Sequence, residues 1–221
     1  MTGAEVEAWG ERCRAWVAGR PAGDPAHDLA HVARVVRTAR ALAAAEGADP
    51  AVVVPAAWLH DCVTVPKDSP DRARASRLAA DAAGAWLGAE GFPTGLVPAV
   101  AHAVAAHSWS ARIEPRTPEA AVVQDADRLD ALGAIGVARL YATAGTLGSA
   151  LVHPDDPLAE SGRPLDDRRW ATDHVAVKLL GLPATMRTAA GRAEGARRAA
   201  FLRRFLDQLR SEVAGPAQAP S

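Results

Sequence analysis

Apolar residues recur at three- and four-residue intervals along most of the chain, and no alternating run is long enough to suggest a strand. Val6, Trp9, Cys13, Trp16 and Val17 share one helical face between Met1 and about Ala18, and Pro21, Gly23 and Pro25 break that pattern. A second helix is expected from about Ala26 to Glu46, marked by Leu29, Val32, Val35, Val36, Ala39 and Leu42. Gly47 stands where a C-terminal cap belongs. Asp49-Pro50 reads as an N-cap with proline at the first helical position, opening a helix that ends near His60-Asp61-Cys62. Ser69-Pro70 repeats the signal for a helix through Leu78, Ala82, Trp86 and Leu87, stopped at Gly91-Phe92-Pro93. Thr94 opens the next, through Val97, Val100 and Val104 to His107. Thr117-Pro118 starts the longest apolar stretch, expected to stay helical as far as Tyr141.

Gly145 to Pro164 is dense in Gly, Ser, Pro and Asp and reads as an excursion of about twenty residues; loops of that length are usually functional or mobile. Two helices should follow, one around Trp170 to Leu180 and one from about Ala184 to Val213. The latter carries a stripe of Phe201, Leu202, Phe205, Leu206 and Leu209. Residues 214–221 read as a disordered tail. The pattern therefore predicts an all-α bundle of roughly eight to ten helices, with residues 1–213 as a single domain.

Composition narrows the function classes. A chain of 221 residues, 49% hydrophobic, can bury a substantial core. Basic and acidic residues nearly cancel, leaving net charge −1, which is not the footprint of a nucleic-acid binder. The late arginines Arg197, Arg198, Arg203, Arg204 and Arg210 read as the solvated side of an amphipathic helix. Cys13 and Cys62 form neither a disulfide framework nor a zinc ribbon. With no apolar leader and no membrane-length apolar run, a cytoplasmic protein without a membrane partner is expected.

The candidate chemistry lies in the histidines and aspartates. His31 falls on the second helix, His60 and Asp61 at the end of the third, and Asp127 within the longest apolar stretch. Asp125, Asp127 and Asp130 crowd three carboxylates into six residues of that stretch. Buried carboxylates are costly without a partner, so arginines (Arg34, Arg128) or a metal ion should lie near them. Two imidazoles and two carboxylates from three helices suit a divalent transition metal, and a helix-bundle interior is a usual place for one. No GxxxxGK[ST] loop, GxSxG elbow or HExxH helix occurs, which removes P-loop, serine-hydrolase and zincin chemistry.

The order His31, His60-Asp61, Asp127 resembles the HD superfamily of metal-dependent phosphohydrolases. The stretches His27-Asp28-Leu29-Ala30-His31-Val32-Ala33-Arg34-Val35, Trp58-Leu59-His60-Asp61, His107-Ser108-Trp109-Ser110-Ala111 and Gln124 to Arg139 resemble a branch of small bacterial HD-domain hydrolases. The resemblance covers about residues 5 to 212. It implies that His31, His60, Asp61 and Asp127 ligate a divalent ion, with Mn²⁺ the first choice and Mg²⁺, Co²⁺, Ni²⁺ or Fe²⁺ open. A second ion would need His102 and His107 to converge, which their 140° separation on an ideal helix opposes. His107 is expected near the substrate phosphate, with Lys67 and Arg128 as further phosphate contacts and His27 as a pocket or capping residue. No glutamate follows the His-Asp pair, so the general acid or base stays unassigned. The implied reaction is hydrolysis of a small phosphorylated substrate, a nucleotide first, by metal-activated water. A (d)NTP pyrophosphohydrolase or a nucleotide phosphatase is expected, working as a monomer or homodimer. The alternatives are a non-catalytic metal and nucleotide sensor and a purely structural bundle.

Overall fold

The computed structural model describes residues 1–20, 28–65 and 69–213. His27, Lys67 and the expected tail at 214–221 lie outside the described residues. The fold is all-α. In chain order the α-helices are α1 (Gly3–Ala18), α2 (Leu29–Glu46), α3 (Pro50–Leu59), α4 (Ala75–Ala89), α5 (Val97–Ala106), α6 (Pro118–Asp130), α7 (Gly133–Leu147), α8 (Asp173–Val177) and α9 (Ala189–Val213). Single 3₁₀ segments cover Pro70–Arg74 and Leu179–Thr185. No helix among the described residues is long and apolar enough to cross a membrane.

The chain forms two compact units. One comprises Met1–Asp130 with Met186–Gly191, the other Ala131–Thr185 with the chain from Arg192 onward. In the first unit the cap signals read at Gly47, Asp49-Pro50 and Thr117-Pro118 are met, and Asp28 supplies a further cap. Asp28 accepts from the backbone of His31 at 2.8 Å and sets the start of α2, while Gly47 ends it at φ +70°. Asp49 accepts from Ala51 N at 2.8 Å, with Pro50 opening α3. Thr117 accepts from Ala120 N at 3.2 Å and starts α6. Every residue of α3 from Ala51 to Leu59 is buried, as befits a helix that is apolar all round. It packs on α1, α2, α5 and α6, so its C-terminal end reaches the middle of the unit.

Three boundaries differ from the expected ones. The stretch from Thr117 to Tyr141 is not one helix: α6 stops at Asp130, and Gly133 starts α7 at φ +71°, a backbone region that favours glycine. The helix expected over Trp170–Leu180 shrinks to the five residues of α8, followed by the 3₁₀ segment. Ser69-Pro70 opens a 3₁₀ turn, and α4 proper begins at Ala75. In the second unit the long excursion runs from Gly148 to Thr172 and is closed by backbone pairing: Ala150 N donates to Arg169 O at 3.0 Å and Ala171 N to Ala150 O at 2.9 Å. Arg163 clamps the buried Asp173 with two contacts of 2.7 Å within this unit. Tyr141 of α7 meets Phe205 of the predicted α9 stripe, ring centroids 6.2 Å apart.

Candidate metal centre

Three helices of the first unit each end, or turn inward, on a histidine. His60 and His107 are the residues immediately after the last turns of α3 and α5. There the helix carbonyls lack intrahelical donors, and each histidine uses one. His60 Nδ1 donates to Ala57 O at 2.8 Å and His107 Nδ1 to Val104 O at 2.6 Å. His31, in the first turn of α2, instead directs Nδ1 to Asp130 Oδ2 at 2.8 Å. All three imidazoles are buried. With Nδ1 committed to an acceptor in each, Nε2 of His31 and of His60 is left with its lone pair facing the centre, while Nε2 of His107 faces Asp61.

Two carboxylates complete the set. Asp61 lies in the turn just past α3, where the helix end lets adjacent residues converge, and Asp127 comes from α6. His60 Nε2 is 3.4 Å from His31 Nε2, 3.5 Å from Asp61 Oδ2 and 3.9 Å from Asp127 Oδ1. His31 Nε2 is 3.6 Å from Asp127 Oδ1 and 3.9 Å from Asp61 Oδ2. An ion about 2.1 Å from each nitrogen or oxygen sets neighbouring ligands about 3.0–3.4 Å apart, so these spacings are only slightly wide for one divalent cation. The histidines are buried and the carboxylates about a third or less exposed (32% for Asp61, 27% for Asp127), so the centre opens on its acidic side.

His107 joins from the far side of Asp61, its Nε2 3.4 Å from Asp61 Oδ1. Asp61 thus faces His31 and His60 with one oxygen and His107 with the other. Burial pushes the His60 imidazole down, favouring its neutral form, and Asp61 only partly opposes this. Burial also pushes the Asp61 carboxyl up, but His60, His107 and His31 together outweigh it and hold Asp61 well below the usual carboxylate range. Asp127 is lowered by the same histidines against its own burial. For His107, burial is outweighed by Asp61, which accepts from it, and the imidazole is raised. The surroundings therefore favour ionised carboxylates and a neutral His60, with Asp61 facing His107.

The remaining expectations divide. His102 stands apart: its Nε2 accepts from Arg116 N at 3.0 Å, so the structure does not bring it to His107 as a second histidine pair. His153 and His174 are occupied in the second unit, His153 accepting from the backbone of Asp155 and Asp156 and His174 contacting Asp167 at 2.8 Å. Arg34 is a carboxylate partner: it holds Asp130 at 2.9 and 3.0 Å. Arg128 lies with its guanidinium carbon 5.0 Å from the Trp109 ring centroid. Asp130 is the residue whose place sequence reading missed. It had appeared only as a flanking carboxylate, yet it orients His31. Its spacing of three from Asp127, which puts both on one face of α6, was the available signal.

Comparison with known proteins gives the family. Residues 28–132 match the HD domain family. The chain is 31% identical to Bacillus subtilis YpgQ over 210 residues, covering 93% of this chain and 94% of that protein. The crystal structure of YpgQ in complex with ADP matches with a TM-score of 0.72 at 30% identity, covering 93% of this chain and 98% of that one. An HD-superfamily hydrolase from Bacillus thuringiensis matches with a TM-score of 0.72 at 27% identity, covering 96% and 98%. The chain belongs to the HD-domain family, and its fold is that of the HD-superfamily hydrolases.

Proposed function

We propose that His31, His60, Asp61 and Asp127 hold one divalent ion, Mn²⁺ first, and that the chain hydrolyses a phosphoanhydride or phosphomonoester of a nucleotide. The observation that carries this reading is the commitment of the His31 and His60 Nδ1 atoms, which leaves their Nε2 atoms turned to one point with Asp127 and with Asp61 Oδ2. When bound, the ion supplies positive charge to the phosphoryl oxygens and lowers the pKa of a coordinated water. Two ionised carboxylates balance a divalent charge, so the mixed nitrogen and oxygen set binds the ion without leaving a net charge in the core. His107, raised by Asp61, is placed to pass a proton to a leaving oxygen. The nucleotide reading is supported by the ADP in the YpgQ complex.

Phosphate and pyrophosphate release from a nucleotide panel, with Mn²⁺ and with chelator, tests the reading. Metal-dependent release supports it, and the ion released shows which bond breaks. A stoichiometric bound ion with no release across the panel would turn the reading to a sensor.

The His31 support gives a second expectation. Asp130→Asn keeps the size of the side chain but removes the charge that His31 Nδ1 and Arg34 share, and losses of such outer partners typically weaken metal affinity by about 10- to 100-fold. Calorimetric titration with Mn²⁺ measures it, and an unchanged affinity would refute the role given to Asp130.

A further inference from the structure

The turn after α5 carries a tryptophan that the core does not use. Trp109 is 52% exposed, in a structure whose other exposed large hydrophobic side chains are aliphatic. It lies two residues past His107, which faces Asp61. One face of its ring is taken by Arg128, the residue after Asp127. Both members of the pair are therefore close chain neighbours of groups in the metal centre, and they converge on each other beside it. Arg128 is half-buried. A guanidinium on one face of an exposed indole forms a surface suited to an anion that carries a flat ring.

We propose that Trp109, backed by Arg128, is the platform on which the nucleobase of the substrate stacks. The indole offers its solvent-facing side to the base, while the guanidinium on the other side fixes the ring plane and adds positive charge near the phosphates. A two-ring purine covers more of the indole than a pyrimidine, so purine nucleotides are the class this surface favours. The proposal rests on the nucleotide reading of the metal centre but not on turnover.

The test is calorimetric binding of ADP and of pyrophosphate, each with Mn²⁺, to the wild-type chain, Trp109→Ala and Trp109→Phe. Stacking of one base is lost in Trp109→Ala, so the preference for ADP over pyrophosphate should fall about tenfold, and Trp109→Phe should restore most of it. An unchanged preference in Trp109→Ala would overturn the platform, as would a wild-type chain that binds ADP no better than pyrophosphate. Because binding is read without catalysis, a chain that binds ADP through Trp109 but releases no phosphate would keep this proposal and refute hydrolysis alone.

Discussion

Asp61→Ala is expected to lower metal-dependent turnover by about a thousandfold, since a catalytic ion contributes several kcal/mol of charge stabilisation and each 1.4 kcal/mol is tenfold in rate. Asp61 touches members of both candidate metal-binding groupings among the described residues: its Oδ2 faces His31 and His60, and its Oδ1 faces His107. Removing it takes away a proposed ligand and, in the same step, the carboxylate that raises His107. The imidazole proton would then be lost at lower pH than in the wild type, so the residual activity should decline earlier as pH rises.

The fold should tolerate this change. The Asp61 side chain is about a third exposed, and the turn that carries it is held through the next residue: Arg20 Nε donates to Cys62 O at 2.7 Å, and Cys62 Sγ contacts Ala79 O at 3.4 Å. Arg20 itself lies over Trp16, which stacks on Trp86 with centroids 4.7 Å apart, so the turn is tied to the seam between α1 and α4. The assay is phosphate release at saturating Mn²⁺ over a pH series, with a melting curve beside it. Turnover within tenfold of the wild type, in a chain that melts normally, would remove Asp61 from the proposed mechanism.

The helix-bundle fold was legible because its signals are local. A proline after aspartate or threonine, a glycine at the end of an apolar run and a three-four spacing of valines each act within one or two turns, and α3 and α6 begin, and α2 ends, where those signals stand. The break at Gly133 was not, because Leu129, Leu132 and Ile135 carry the apolar spacing across it, while the backbone turns at the extended Leu132 and the positive φ of the glycine. In the candidate centre, the residue types and their order could be read from the sequence. The partners that orient them could not, since His60 and His107 lean on backbone carbonyls that every helix end offers. The three carboxylates of α6 show the same limit. They were expected to share a cation, but Asp127 faces His31 and His60, Asp130 faces Arg34 and His31, and Asp125 turns the other way to backbone amides. Spacing along one helix does not say which neighbour each face will meet.

That third carboxylate carries the largest expected effect on stability. Asp125 is fully buried, yet no side-chain cation is its closest partner. Its Oδ1 accepts from Arg187 N at 2.9 Å, and its Oδ2 accepts from Thr188 N at 2.8 Å and from the Thr188 hydroxyl at 2.7 Å. Thr188 Oγ1 then accepts from Gly191 N at 2.9 Å, in the first turn of α9. Thr188 thus caps the first turn of α9, and Asp125, from another helix, holds that cap in place, its charge lying at a helix start where the dipole favours an anion. Asp125→Ala would take their acceptor from the buried Thr188 amide and hydroxyl and from the part-buried Arg187 amide, at a cost of about 3–5 kcal/mol, comparable to breaking a buried charged pair. At about 2–4 °C per kcal/mol for a chain of this length, the melting temperature should fall by roughly 10 °C. Gly191→Ala tests the same arrangement from the opposite side. A Cβ there would come 2.4 Å from Asp125 Oδ2 and 2.6 Å from Thr188 Oγ1, so the methyl group must displace the cap. Both variants should melt early while Asp61→Ala does not, and a melting temperature for Asp125→Ala within 2 °C of the wild type would show that the start of α9 holds without its carboxylate.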